Sequence, residues 1–305
     1  MTRIGMANWG YTCEGAPPFE AVLDRLAALG YGGIELLGAP GRHHPDEIPA
    51  GAPHAALRRQ LESRGMASPL YCPRLGGFPP THVGPENHRG YLDLFAKNLA
   101  FCQEVGIPMI RVDTCLDPQE MSPAEHVIAV RTLAATWRAC AQVADRAGIT
   151  IAWEFEPGFL FNKPSEILAI LEGVNHPRFT VLFDTCHAQM SVVVGARQPG
   201  TRETFPGGLA AFVRRLGRHI GYVHLSDSDT TLHHDKTSTH APLGKGVIDF
   251  DPVLEALLEV GYRGPWWTVD PCFWPRPWEV LEDDKRFVDA LLRRHGLLEG
   301  GRGPA

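Results

Sequence analysis

The chain has 305 residues, 44% of them apolar, and a formal net charge of −6 at pH 7. That size allows one large buried core, while the acidic balance leaves no electrostatic footprint for nucleic acid and makes an anionic membrane surface a poor partner. Seven cysteines without a CxxC pair give neither a disulfide framework nor a zinc knuckle. No run reaches the length of a membrane span, and MTRIGMANWG lacks the apolar core of a secretory signal, so the cytoplasm is the expected compartment.

In chain order, a first strand is predicted near residues 3–8, ending beside Trp9, whose ring would stack on the apolar face of a sugar. A second is predicted near 32–37, where Glu35 alternates away from Ile34 and Leu36 and points into the mouth, either to bind a substrate hydroxyl or to anchor another group from behind. Strands near 67–72 and 108–113 follow. In the latter Arg111 and Asp113 share a face, and Arg111 would hold a substrate carbonyl or phosphate, or pair internally with Asp113 or Glu156; with no further basic residue close to it in sequence, a neutral substrate is expected over a phosphorylated one. Further strands are predicted near 150–156, 180–184, 220–225 and 266–270, with Trp274 following the last as a second ring for stacking.

One phrase recurs around Gly30, Gly106, Gly148 and Gly261: a helical stretch, a glycine, a short bend, then an apolar run. Glycine just past a helix end supplies the left-handed conformation that stops the helix, and the β-rich run after it reads as a buried strand. Eight strands alternating with helices predict a parallel sheet and the α/β class, as a single (β/α)8 TIM barrel over residues 1–295 with a flexible tail at 296–305. No GxGxxG follows the first strand. The extended strand-to-helix loops come after strands six and seven, near 190–207 and 226–249, as expected if the strands' C-terminal ends form the active face.

Within those loops, the apolar stretch SVVVG is a candidate lid or homo-oligomer interface, and His233, His234, Asp235 and His240 read as a solvated lid, with a second metal site as the alternative. Asp251-Pro252 reads as the opening of the seventh helix, an N-cap followed by proline. Trp137, Trp153 and Trp267 read as packing between helices and barrel, and Cys186 as a small buried filler.

The last four strands each end on a residue able to bind a divalent metal: Glu154 closes ITIAWE, Asp184 closes FTVLFD, His224 closes GYVH and Asp270 closes PWWTVD. Side by side in a parallel sheet, these side chains converge on one mouth, and converging acids are costly to desolvate unless paired or bound to a cation. Three oxygens and one imidazole suit Mn²⁺, Mg²⁺ or Co²⁺, with Zn²⁺ still open. Such an ion would chelate neighbouring oxygens of a sugar or cyclitol and stabilise the enediolate formed when the adjacent carbon loses its proton. Glu156 shares a face with Glu154 and would supply a further acid or base.

LGYGGIEL, the G-x-T-x-A-x-E pattern ending at Glu154, FDTCHA with Asp184 and His187, YVHLSD with His224 and Asp227, and the GKGVIDF loop follow one another in an order that resembles the xylose isomerase-like TIM-barrel superfamily of sugar isomerases and epimerases. The resemblance implies one divalent ion, most often Mn²⁺, held by Glu154, Asp184, His224 and Asp270, with Glu154 and Asp270 removing and returning a proton. It also implies substrate contacts from His187 and Asp227. The chain departs from the pattern at Asp270, where the isomerases usually carry glutamate. The shorter side chain still reaches a metal but weakens two-base epimerisation. The function expected is therefore a metal-dependent isomerase or epimerase of a small carbohydrate or cyclitol, with a lyase or dehydratase on a 3-keto sugar or cyclitol as the alternative. An endonuclease IV-like phosphodiesterase ranks lower, because SPLYCPRLGG ends without histidine and the chain is acidic; so does a non-catalytic sugar-binding barrel.

Overall fold

The computed structural model describes residues 2–12, 15–82 and 84–298, with the backbone alone at residues 9 and 10. The first half of the chain forms β1 (Arg3–Met6), α1 (Trp9–Thr12), α2 (Phe19–Ala28), β2 (Gly33–Ile34), β3 (Leu36–Gly38), α3 (Ala52–Glu62), β4 (Tyr71–Pro73), α4 (Pro85–Val105), β5 (Met109–Val112) and α5 (Pro123–Arg146). The second half forms β6 (Thr150–Glu154), α6 (Pro164–Val174), β7 (Phe179–Asp184), α7 (Thr185–Ala188), α8 (Gly208–Leu216), β8 (Ile220–Leu225), β9 (Asp227–His233), β10 (Thr237–Ala241), α9 (Phe250–Glu259), β11 (Trp266–Val269) and α10 (Pro277–Arg294).

Nine of these strands make one parallel sheet in the order β2-β1-β11-β8-β7-β6-β5-β4-β3. Its two ends, β2 and β3, are consecutive pieces of one strand interrupted at Glu35. Across the interruption the Glu35 amide donates to Met6 O on one side, and the Leu36 amide to Leu70 O on the other. The sheet thus comes round on itself with eight strand positions, the predicted TIM barrel. The four joints behave as the sequence requires: Gly30, Gly106, Gly148 and Gly261 all have φ between 71° and 87°, a region open to glycine at little steric cost. Ser122 and Glu125 close a capping box ahead of α5, and Pro123 fills its first turn.

Two apolar layers follow from strand alternation. Inside the barrel sit Leu70, Cys72, Ala152, Leu182, Tyr222 and Trp266; outside, Trp153 and Phe155 point to the helices. Trp137 and Trp153 lie 5.2 Å apart and Trp137 and Phe179 5.4 Å apart, and such ring pairs add about 0.5–1.5 kcal/mol each beyond area burial. Among the described residues no helix is long and apolar enough to cross a membrane.

Several local expectations are corrected. The strand predicted near 67–72 is only a bridge at Ala67 until Tyr71, because Pro69 has no amide to offer the ladder. The seventh helix opens at Phe250 with Asp249 at its N-cap, leaving Asp251 in the first turn, where it holds Arg294 and His295. The loop after β8 is not an unstructured lid: β9 and β10 form an antiparallel hairpin. Leu297 and Leu298, predicted in the tail, pack against the core, and residues 299–305 lie outside the described residues.

Candidate metal centre

Parallel register sets the geometry of the centre. Asp184 on β7 pairs with His224 on β8, and His224 pairs with Thr268 two residues before Asp270. Glu154 ends β6 next to β7. His224 Nδ1 is 3.3 Å from Glu154 Oε1, 3.6 Å from Asp184 Oδ2 and 3.5 Å from Asp270 Oδ2. One ligand atom from each of the four lies within 4.8 Å of the others, and all four residues are buried. Two ligands each about 2.1 Å from a common ion at angles of about 90–109° stand about 3.0–3.4 Å apart, so the observed 3.3–3.6 Å is within a few tenths of an ångström of what a cation requires.

The polar atoms at this point lack partners. Glu154 Oε1, His224 Nδ1 and Asp270 Oδ1 are buried without a hydrogen bond, and buried polar groups are ordinarily satisfied. Their convergence on one spot makes a donor set that could hold a cation. The opposite face of the imidazole is occupied: His224 Nε2 donates to Glu35 Oε1 at 2.8 Å, and Glu35 is fully buried. A carboxylate behind the ring fixes Nδ1 as the lone pair aimed at the acids. Asp184 is anchored by the His187 amide at 2.8 Å and the Ser226 hydroxyl at 2.9 Å. Arg111 Nε touches Glu154 Oε2 at 2.6 Å, while its Nη groups reach Cys72 Sγ at 2.9 Å and Asp113 at 3.4 Å.

A second group adjoins the first. Glu156 accepts from the Thr237 hydroxyl and lies 3.5 Å from His187 Nε2, and His187 Nδ1 meets Ser238 Oγ at 3.0 Å. His240, expected in a solvated lid, is completely buried. Its Nδ1 bonds Asp270 O at 2.8 Å, its Nε2 is 3.7 Å from Asp184 Oδ1 and otherwise unsatisfied, and its ring sits 4.6 Å from that of His187.

These neighbours set the proton affinities. Burial pushes the Glu154 carboxyl up, but Arg111, then His224 and His187, outweigh it and bring it down to about 2. Asp184 is likewise held well below the usual range, burial being overcome by His240, His187 and His224. Burial raises Glu156 despite the opposing His187 and Arg111 charges. Burial disfavours charge on His224 and His187, yet the surrounding carboxylates prevail and raise both.

The remaining predicted residues are placed as follows. Asp227 is fully buried, and its carboxylate accepts from the amides of Ser228, Gly244, Gly246 and Ile248 at 2.9–3.1 Å, so its bonds go to the GKGVIDF loop. Trp274 is half-buried after β11. The side chain of Trp9 lies outside the described residues. Beside the cluster a cavity of about 810 Å³ opens over the ends of β3, β4 and β5, with Leu37, Cys72, Arg111, Asp113 and Phe159 in its wall.

Comparison with known proteins agrees with this architecture. The family model described as xylose isomerase-like TIM barrel matches residues 23–290. The chain is 25% identical over 292 residues to the inosose dehydratase of Erwinia tasmaniensis, covering 88% of this chain and 89% of that protein. It is 28% identical over 177 residues to the L-ribulose 3-epimerase of Methylomonas sp., covering 53% of each. Both relatives are enzymes. The solved structure of the IolI protein with a binding zinc atom superposes with a TM-score of 0.71 at 16% identity, covering 96% of this chain and 97% of that one.

Proposed function

The chain belongs to the xylose isomerase-like TIM barrel family, and from that premise we propose that it is a divalent-metal-dependent isomerase or epimerase of a sugar, keto-sugar or cyclitol. The supporting observation is the convergence of Glu154, Asp184, His224 and Asp270 on one point with three of their buried polar atoms unsatisfied. These four would hold the ion, and Mn²⁺ suits three carboxylates and an imidazole. Once bound, the cation acts as a Lewis acid for the negative charge that develops next to the carbon losing its proton.

The protein groups divide the remaining work by proton affinity. Glu154, brought down to about 2 chiefly by Arg111 against the pull of burial, stays a carboxylate and serves as a ligand. Glu156 is the carboxyl that burial lifts, and with His187 at 3.5 Å it is the better proton carrier. Asp270 faces the same point from β11 and would flank the reacting carbon opposite Glu154, with the shorter reach already noted. His187 is placed to orient a substrate oxygen.

The inosose dehydratase relative, matched over 89% of its own length, supports a second reading in which the same deprotonation is followed by loss of a β-hydroxyl. The test is a panel of ketoses and ketocyclitols in deuterium oxide, run with chelator-stripped protein and after adding Mn²⁺. Metal-dependent deuterium uptake without loss of water supports the isomerase or epimerase, and release of water supports the dehydratase. Full turnover after exhaustive chelation, or with Glu154→Gln, rejects both.

A further inference from the structure

We propose that the substrate of this reaction carries an anionic group, a carboxylate or a phosphate, bound by Arg42 and Arg74. The inference rests on the functional reading above and adds the charge of the ligand to it. Both arginines line the 810 Å³ cavity beside the metal cluster. That cavity borders the cluster at Arg111, which forms part of its wall and touches Glu154 at 2.6 Å. A sugar presenting its oxygens to the four ligands would reach this space past Arg111.

Charge balance singles out Arg42 and Arg74. Arg111 is already engaged by Glu154, Asp113 and Cys72. Among the described lining residues Asp113 is the one acid, and it is held by Arg111 at 3.4 Å and by the Cys115 amide at 2.8 Å. Arg42 and Arg74 are exposed and have no carboxylate partner among the described residues.

Their backbones are tied down at the active face. The Arg42 amide donates to Ala39 O at 3.0 Å and the Arg74 amide to Gly38 O at 3.3 Å, and from these loops after β3 and β4 both residues line the cavity. Guanidinium forks match the oxygens of carboxylate and phosphate equally. A neutral sugar leaves this positive charge without a counterpart.

The test is calorimetric titration of the Mn²⁺-loaded protein with D-fructose, D-fructose 6-phosphate and D-fructuronate, repeated with R42A/R74A and R42K/R74K. At least one anion is expected to bind about tenfold or more tightly than fructose, an advantage that shrinks with added salt. R42A/R74A is expected to reduce that ratio to below about twofold, and R42K/R74K to keep part of it. The preferred anion distinguishes phosphate from carboxylate. Equal affinity for all three sugars, no binding of either anion, or an advantage that persists in R42A/R74A because the anion simply chelates the metal, overturns the proposal. Deuterium uptake into the same sugars reads the underlying reaction separately: uptake without anion preference rejects this assignment alone, and anion preference without uptake rejects the reaction alone.

Discussion

Replacing Glu35 by glutamine removes one negative charge from behind His224 with almost no change of shape. The Oε1 that now takes the Nε2 proton at 2.8 Å remains an acceptor, so the ring keeps its place and only the charge assistance is lost. A hydrogen bond to a charged group contributes about 1.5–3 kcal/mol net and a neutral one about 1, so the imidazole loses roughly 1–2 kcal/mol of support as a ligand. That corresponds to about a 5- to 30-fold weaker Mn²⁺ complex, within the range for groups that orient metal-bound histidines.

The sign of a second effect makes the test sharper. Burial disfavours the His224 proton, and Glu35 is the first of the groups that restore it. Without the Glu35 charge the proton competes less with the metal. The loss in affinity is therefore largest at alkaline pH and shrinks as the pH falls. Calorimetric titration of chelator-stripped wild type and Glu35→Gln at two pH values measures both. A variant that binds Mn²⁺ as the wild type does at alkaline pH refutes the assignment of His224 as a ligand through Nδ1.

Other consequences follow from the same geometry. In wild type, Mn²⁺ must displace the proton that the carboxylates hold on His224 above the ordinary imidazole range, so apparent affinity rises by up to about tenfold per pH unit and then levels off; competition with a chelator across the pH range measures the slope, and a flat profile contradicts it. Glu156→Gln is expected to keep Mn²⁺ affinity within about threefold while slowing substrate deuterium exchange by about 10²- to 10⁴-fold. Parallel calorimetry and exchange on one preparation decide this, and unchanged exchange removes Glu156 from the reaction. Asp227→Asn sets an amide NH₂ against the Gly244 and Gly246 donors that Oδ2 now accepts. Losing two charge-assisted bonds costs about 3 kcal/mol or more, to be read as a lower Tm and faster amide exchange over residues 244–248; unchanged protection there would show that the loop is held by other means.

Those parts of the fold and the site that depend on local pattern were legible in the sequence. Each of the runs ending at Glu154, Asp184, His224 and Asp270 is apolar until its last residue, and once strands are parallel and adjacent their tips must meet. The helix-stop glycines carried the alternation, since only a left-handed residue fits there. Relations spanning long stretches of chain were not legible. Glu35 and His224 are 189 residues apart, and alternation said only that Glu35 points inward. Asp227 reads as a substrate contact because nothing local reveals the three loop amides, of Gly244, Gly246 and Ile248, returning to it.

The burial of His240 is hard to read from sequence because its hairpin hides its turn. His234 and Asp235 take the left-handed positions, with φ of 49° and 55°, where Asn-Gly would have announced a tight turn. The β-branched run TSTHA was the available signal for a return strand. Carried through, it would have turned His240 from a solvated loop into a residue facing the acids.

Anomalous diffraction at the manganese edge from crystals grown with Mn²⁺ bears most directly on the shared cation. A single peak about 2.0–2.3 Å from Glu154, Asp184, His224 Nδ1 and Asp270 is the predicted result. A peak elsewhere, or none at full Mn²⁺ loading, would contradict it.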